Sequence, residues 1–207
     1  MANGRGIPTP CRPWWVGQFR WVTRSVLVIH GAGEPRRRNG KVYWEPLLQG
    51  SLGAGYVVRA PRMPEPDEPD YQAWAERIAE LLAESVSPTV VGHSFGASVL
   101  LKYFSETASP PPIAGLFLVA TPFWDEKKFP EFALRPNFAA RLEALSPLYL
   151  YQSRDDTEIP SEHLERYRRA FPHAVVRLLD GRGHEFDQPE FPELVADIRS
   201  LGGDPWK

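Results

Sequence analysis

The chain is expected to fold as a three-layer α/β/α sandwich built on a doubly wound, mainly parallel sheet of about six strands. Three observations predict it. Short, continuous apolar runs such as Ser25-Val26-Leu27-Val28-Ile29 recur along the chain, as strands buried on both faces require. Amphipathic segments at helical spacing alternate with these runs. No internal repeat and no linker interrupts the alternation, so right-handed crossovers wind the chain over both faces of one sheet. In such sheets ligands bind beyond the carboxyl ends of the strands.

The elements follow in order. Residues 1–24 form an N-terminal arm in which Trp14, Trp15, Phe19 and Trp21 are apolar but follow neither a helical nor a strand period. Packing against the body is the plain role for this arm, with partner binding as the competing one. Residues 25–207 make a single domain, a length that suits one sizeable core. Residues 25–29 are a buried strand running into His30-Gly31-Ala32-Gly33. Residues 34–41 are a basic loop, either a solvated surface or a site for acidic substrate groups. A short amphipathic helix over 43–52 ends at Gly53 and Gly55. Residues 56–59 are a second strand, and 61–69 a proline-rich acidic loop. Asp70 is placed to cap a helix over 71–85, whose Trp74, Ile78, Leu81 and Leu82 share one face. Val90 and Val91 belong to a third strand; Ala97, Val99, Leu100, Leu101 and Phe104 suit the helix after it. Three prolines at 110–112 break to a strand over 113–119. An aromatic, irregular stretch follows over 121–136, then a short helix from Asn137 to 144. Strand 148–151, helix 161–171, strand 174–179 and helix 189–201 complete the chain.

The bulk composition excludes several classes. Lys plus Arg is 24 and Asp plus Glu is 26, which gives no field to recruit nucleic acid or an anionic membrane. Nothing approaches the apolar length of a membrane span. Pro8, Pro10, Arg12 and Pro13 interrupt any signal-peptide core. The one cysteine, Cys11, has no internal disulfide partner, so a reducing compartment and a cytoplasmic location are expected.

The densest signal is Thr89-Val90-Val91-Gly92-His93-Ser94-Phe95-Gly96-Ala97-Ser98. Strand, sharp turn and helix are all legible, with Gly92-x-Ser94-x-Gly96 between them, the pattern of a nucleophile elbow. So tight a turn holds a serine in a strained backbone with its hydroxyl clear of the sheet, and its neighbours must be small for strand and helix to approach. A serine merely starting a helix is the competing reading. Phe95 N–H then lies at a helix N-terminus, where it can stabilise developing negative charge.

A serine hydroxyl needs a base, and a histidine held by a carboxylate is the usual one. Of five histidines, His184 stands in the glycine-loosened loop Asp180-Gly181-Arg182-Gly183-His184-Glu185-Phe186 after the last strand, free to reach back over the sheet. His93 adjoins Ser94 on the turn and points elsewhere, His30 belongs to the first loop, and His163 and His173 sit on a helical surface stretch. The acid is expected after strand 148–151, where Asp155 and Asp156 compete. Asp156 precedes the turn Thr157-Glu158-Ile159-Pro160 and is preferred; Asp155 is left to cap or brace that turn. Order along the chain is then Ser, Asp, His. The small residues of His30-Gly31-Ala32-Gly33 leave backbone N–H groups free, so Ala32 N–H is expected to join Phe95 N–H as the oxyanion hole. A plain glycine turn is the alternative.

Gly92-His93-Ser94-Phe95-Gly96, Ser153-Arg154-Asp155-Asp156 and Gly183-His184-Glu185-Phe186 together resemble the α/β-hydrolase superfamily, and within it the compact retinoblastoma-binding-protein-nine-like serine hydrolases. The likeness runs from Ser25 to Leu201 in element order and includes Leu134-Arg135-Pro136 before a short helix. It implies a compact α/β-hydrolase fold, a Ser94, Asp156, His184 triad, no metal and no cofactor. The first loop departs from that group, which usually starts it with proline-glycine, while His30-Gly31 is common in the wider superfamily. The group's pocket-binding Leu-x-Cys-x-Glu motif is absent, since Cys11 lies in Thr9-Pro10-Cys11-Arg12-Pro13.

Three functions are weighed. The first is a serine hydrolase of the carboxylesterase type acting on a small or medium acyl ester, with amide or aminoacyl substrates as variants. The second is a non-catalytic interaction module on the same fold. The third is related chemistry such as C–C bond cleavage or perhydrolysis. Residues 121–138 are the one insertion near the site, suited to a small lid or an apolar pocket wall; Phe123 and Trp124 are its candidate substrate contacts, and ordinary core packing explains them equally.

Overall fold

A computed structural model describes residues 23–124, 127, 129–143, 145 and 147–202. Most of the arm expected over 1–24 lies outside these residues. Arg24 does not belong to an arm, because it opens the first strand.

Six parallel strands form the sheet: β1 (Arg24–Ile29), β4 (Tyr56–Arg59), β5 (Thr89–His93), β6 (Gly115–Val119), β7 (Leu148–Ser153) and β8 (Val175–Leu179). Their order across the sheet is β4-β1-β5-β6-β7-β8. Successive side chains point to opposite faces, which is visible along each strand. Leu27, Ile29, Val90, Leu116, Leu118, Leu148 and Leu150 pack under α2 (Tyr71–Ala83), α3 (Phe95–Glu106), α4 (Phe138–Leu142) and α5 (Ser161–Ala170). Val26, Val28, Val91, Phe117, Val119, Tyr149 and Tyr151 pack under α1 (Trp44–Leu52) and α6 (Pro192–Ser200). Each such side chain, taken out of water, contributes about 2 kcal/mol. Both faces are therefore covered, as the continuous apolar runs predict.

The helix signals act locally as expected. Asp70 Oδ1 accepts from Ala73 N–H at 2.8 Å and caps α2. Trp74 on that helix is fully buried and donates its indole N–H to Pro64 O at 2.7 Å. Two pieces differ from the sequence reading. The basic loop contains a small antiparallel hairpin, β2 (Arg37–Arg38) with β3 (Lys41–Val42). Asn39 and Gly40 turn it, both at positive φ (54° and 77°), the backbone that a tight hairpin demands and that the Asn-Gly pair signals. The irregular aromatic stretch holds one turn of 3₁₀ helix over Pro130–Phe132. Among the described residues no helix is long and apolar enough to cross a membrane.

The winding positions the site. From β1 the chain moves outward to β4, then crosses back to lay β5 on the other side of β1. The loops leaving β1 and β5 thus part in opposite directions at the carboxyl edge, and a crevice opens between them.

Candidate active site

Ser94 ends β5 and starts α3 with φ 50° and ψ −124°, a conformation L-residues rarely adopt. The surroundings leave no other course. Its N–H donates to Val119 O at 2.8 Å, prolonging the β5–β6 ladder, and α3 begins at the next residue. A Cβ on Gly92 would lie 2.6 Å from Ala97 Cα, and one on Gly96 would lie 2.2 Å from His30 O. Both glycines are therefore demanded by backbone approach, which is the physical content of the small-residue spacing.

His184 Nε2 lies 2.9 Å from Ser94 Oγ, and His184 Nδ1 lies 3.0 Å from Asp156 Oδ2. Since the carboxylate only accepts, Nδ1 carries the proton and the Nε2 lone pair faces the serine hydroxyl. The Asp156 side chain is fully buried and that of His184 is 8% exposed. Asp156 is held on every side. Its Oδ1 accepts from the N–H groups of Glu158 and Ile159, each at 2.9 Å, and its Oδ2 also accepts from Gln152 Nε2 at 2.8 Å. A buried carboxylate so surrounded is satisfied and cannot rotate.

Asp155 takes a different place. Its Oδ1 accepts from Gly183 N–H at 3.2 Å and from Ser153 Oγ, while Ser153 Oγ accepts from Arg182 N–H at 3.0 Å. The Ser153 hydroxyl bond, followed by the bond from Gly183 N–H, holds its carboxyl below the usual carboxylate range. Asp155 braces the histidine loop rather than its own turn.

Two buried histidines the sequence reading set aside also support the site. His93 donates its Nε2–H to His184 O at 2.9 Å, and its ring packs 5.3 Å from those of Trp44 and His184. Burial pushes its pKa down to about 4. His30 accepts from Met63 N–H through Nε2 at 2.9 Å, so its Nδ1–H donates to Gly31 O at 2.6 Å. Burial lowers the His30 pKa as well. In a trans peptide the C=O and N–H point opposite ways, so anchoring Gly31 O turns Ala32 N–H away from His30. Phe95 N–H, in the first turn of α3, has no acceptor within the helix.

Two clefts meet over Ser94, and Ala32, Glu158 and His184 border both. The larger, about 590 Å³, is walled by Phe95, Trp124, Phe129 and Phe132. The smaller, about 330 Å³, is polar and includes Tyr43, Trp44 and His93. Trp124 thus reaches the cleft, with its indole N–H on Ser98 Oγ at 3.0 Å. Phe123 does not: it packs on Tyr167 and Phe138 under the Arg166 guanidinium. His163, expected to be a plain surface residue, is half-buried and accepts from Phe123 N–H at 2.7 Å, fixing where the aromatic stretch leaves β6. Gln152 and Glu158 carry no motif; only the turn after β7 brings them to the carboxylate.

The sequence of residues 26–190 matches the family model described as serine hydrolase. None of the curated proteins matches the chain. Several solved structures share the fold. The ydeN gene product of B. subtilis superposes with a TM-score of 0.70 at 17% identity, over 88% of this chain and 100% of its own. Est1E from Butyrivibrio proteoclasticus gives 0.66 at 13% identity, over 88% and 89%. The 2-hydroxy-6-oxo-6-phenylhexa-2,4-dienoate hydrolase of Rhodococcus sp. strain RHA1 gives 0.65 at 17% identity, over 89% and 92%.

Proposed function

The chain belongs to the serine hydrolase family, on an α/β-hydrolase fold, and from that premise we propose that it hydrolyses carboxylic esters of small or medium acyl groups through an acyl-enzyme on Ser94. The observation that carries the reading is the unbroken hydrogen-bond chain Ser94 Oγ, His184, Asp156 at 2.9 and 3.0 Å.

Ser94 Oγ attacks the ester carbonyl while its proton passes to His184 Nε2. Asp156 keeps the proton on Nδ1 and stabilises the imidazolium. The carbonyl oxygen, now negative, takes hydrogen bonds from Phe95 N–H and Ala32 N–H; each such donor lowers the barrier by about 3 kcal/mol. Collapse expels the alcohol, which leaves with the proton from Nε2. Water then attacks the acyl carbon and gives its proton to Nε2; that proton passes to Ser94 Oγ as it departs, which releases the acid and restores the serine and the neutral imidazole. The aromatic cleft suits an apolar portion of the substrate, with Trp124 on its wall. No metal or cofactor has a part in these steps. A single cysteine supports a reducing, cytoplasmic setting.

A fluorophosphonate probe tests the reading. Wild-type protein is expected to label and to hydrolyse a panel of 4-nitrophenyl esters, and Ser94→Ala to do neither while keeping its circular dichroism. A folded wild type that neither labels nor turns over any ester would overturn it in favour of a non-catalytic module.

A further inference from the structure

Glu158 is held over the reaction centre by the same carboxylate that orients the histidine. Its N–H donates to Asp156 Oδ1 at 2.9 Å, and its own Oε2 lies 3.7 Å from His184 Nε2. It borders both clefts at their meeting point. Its side chain is 64% exposed, so water solvates the carboxylate until something covers it.

The resting imidazole cannot serve Glu158. With the proton on Nδ1, Nε2 presents only a lone pair, and two acceptors face each other. A substrate entering the larger cleft would displace water from Glu158 and leave an anion beside the scissile carbonyl. A neutral or anionic group there loses that solvation without return, while a positive group replaces it. The rest of the cleft has the same preference. Glu68 and Glu131 line it, and among the described residues that line it there is no lysine or arginine. Its walls are aromatic: Phe129 sits edge-on to Trp124 at 4.5 Å, and Phe132 edge-on to Phe95 at 4.6 Å. Aromatic faces pack against either group, and the ammonium gains an electrostatic attraction to the ring that its carbon counterpart lacks.

Resting on the ester-hydrolase reading above, we propose that the preferred substrates are esters carrying a protonated or quaternary amine within a few bonds of the scissile carbonyl, and that Glu158 is the residue that reads this charge. A unit charge about 4 Å from a solvated carboxylate, helped by one aromatic face, corresponds to about a fivefold preference.

Two pairs of esters, identical but for trimethylammonium in place of tert-butyl, test it on either side of the bond. On the alcohol side they are choline butanoate and 3,3-dimethylbutyl butanoate. On the acyl side they are the 4-nitrophenyl esters of 4-trimethylammoniobutanoate and 5,5-dimethylhexanoate. The readout is the ratio of kcat/KM, charged over neutral, at low and high salt, for wild type and Glu158→Gln. The expected result is a ratio of about five in at least one pair, falling toward one in the variant and toward one as salt screens the contact. A ratio of one or less in both pairs, or a preference that survives both the variant and salt, overturns the proposal. Either would leave the ester-hydrolase reading standing, because the neutral esters report on that separately. Loss of turnover on all four esters would overturn both.

Discussion

Acid should loosen this protein through His93. The residue is buried beneath the elbow, donates Nε2–H to His184 O at 2.9 Å, and has its pKa pushed down to about 4 by burial. In the unfolded chain the same ring takes a proton near its ordinary value of about 6.5. Between those values the unfolded state binds the proton and the folded state does not, so stability rises with pH. It is complete above about pH 6.5 and is lost as pH falls toward 4. The full difference is about 3 kcal/mol, of which about 2 kcal/mol is gone by about pH 5. His93→Gln isolates the effect. Glutamine keeps an N–H donor for the His184 carbonyl and does not titrate, while His30, also lowered by burial, is common to both proteins and cancels. Urea unfolding at about pH 8 and about pH 5 should show the wild type losing about 2 kcal/mol more than the variant. Equal losses would refute the reasoning, since they would mean that His93 is protonated as easily folded as unfolded.

Two further outcomes follow from the geometry. Asp156→Asn, by favouring the wrong His184 tautomer, should lower kcat by about 10⁴-fold while leaving ester KM within a fewfold, read by steady-state kinetics. Gly96→Ala places a Cβ 2.2 Å from His30 O and 2.7 Å from Ile29 O, both backbone atoms that cannot step aside; a loss of at least about 3 kcal/mol is expected by urea unfolding, and a Tm near wild type would contradict the close approach of α3 to β1.

Much of the fold and the heart of the candidate site were legible in the chain, and some of it was not. Val26-Leu27-Val28-Ile29 and Gly115-Leu116-Phe117-Leu118-Val119 announce two-faced burial by being apolar at every position, so the covered parallel sheet was readable. Gly92-x-Ser94-x-Gly96 announces the elbow because only hydrogen fits where α3 meets β5 and β1. The glycines around His184 and the turn after Asp156 marked the loops that bring an imidazole to Ser94 and a carboxylate to that imidazole. These are local demands, and local demands are written in residue type and spacing. What only the tertiary structure decided has no such signature. That Phe123 enters the core while Trp124 turns to the cleft, that Asp155 braces the loop of His184, and that Glu158 stands over Nε2 all depend on which loops become neighbours when β6, β7 and β8 lie side by side. Those contacts join residues from separate loops, and no period or pairwise spacing along the chain encodes the direction in which a side chain leaves a loop.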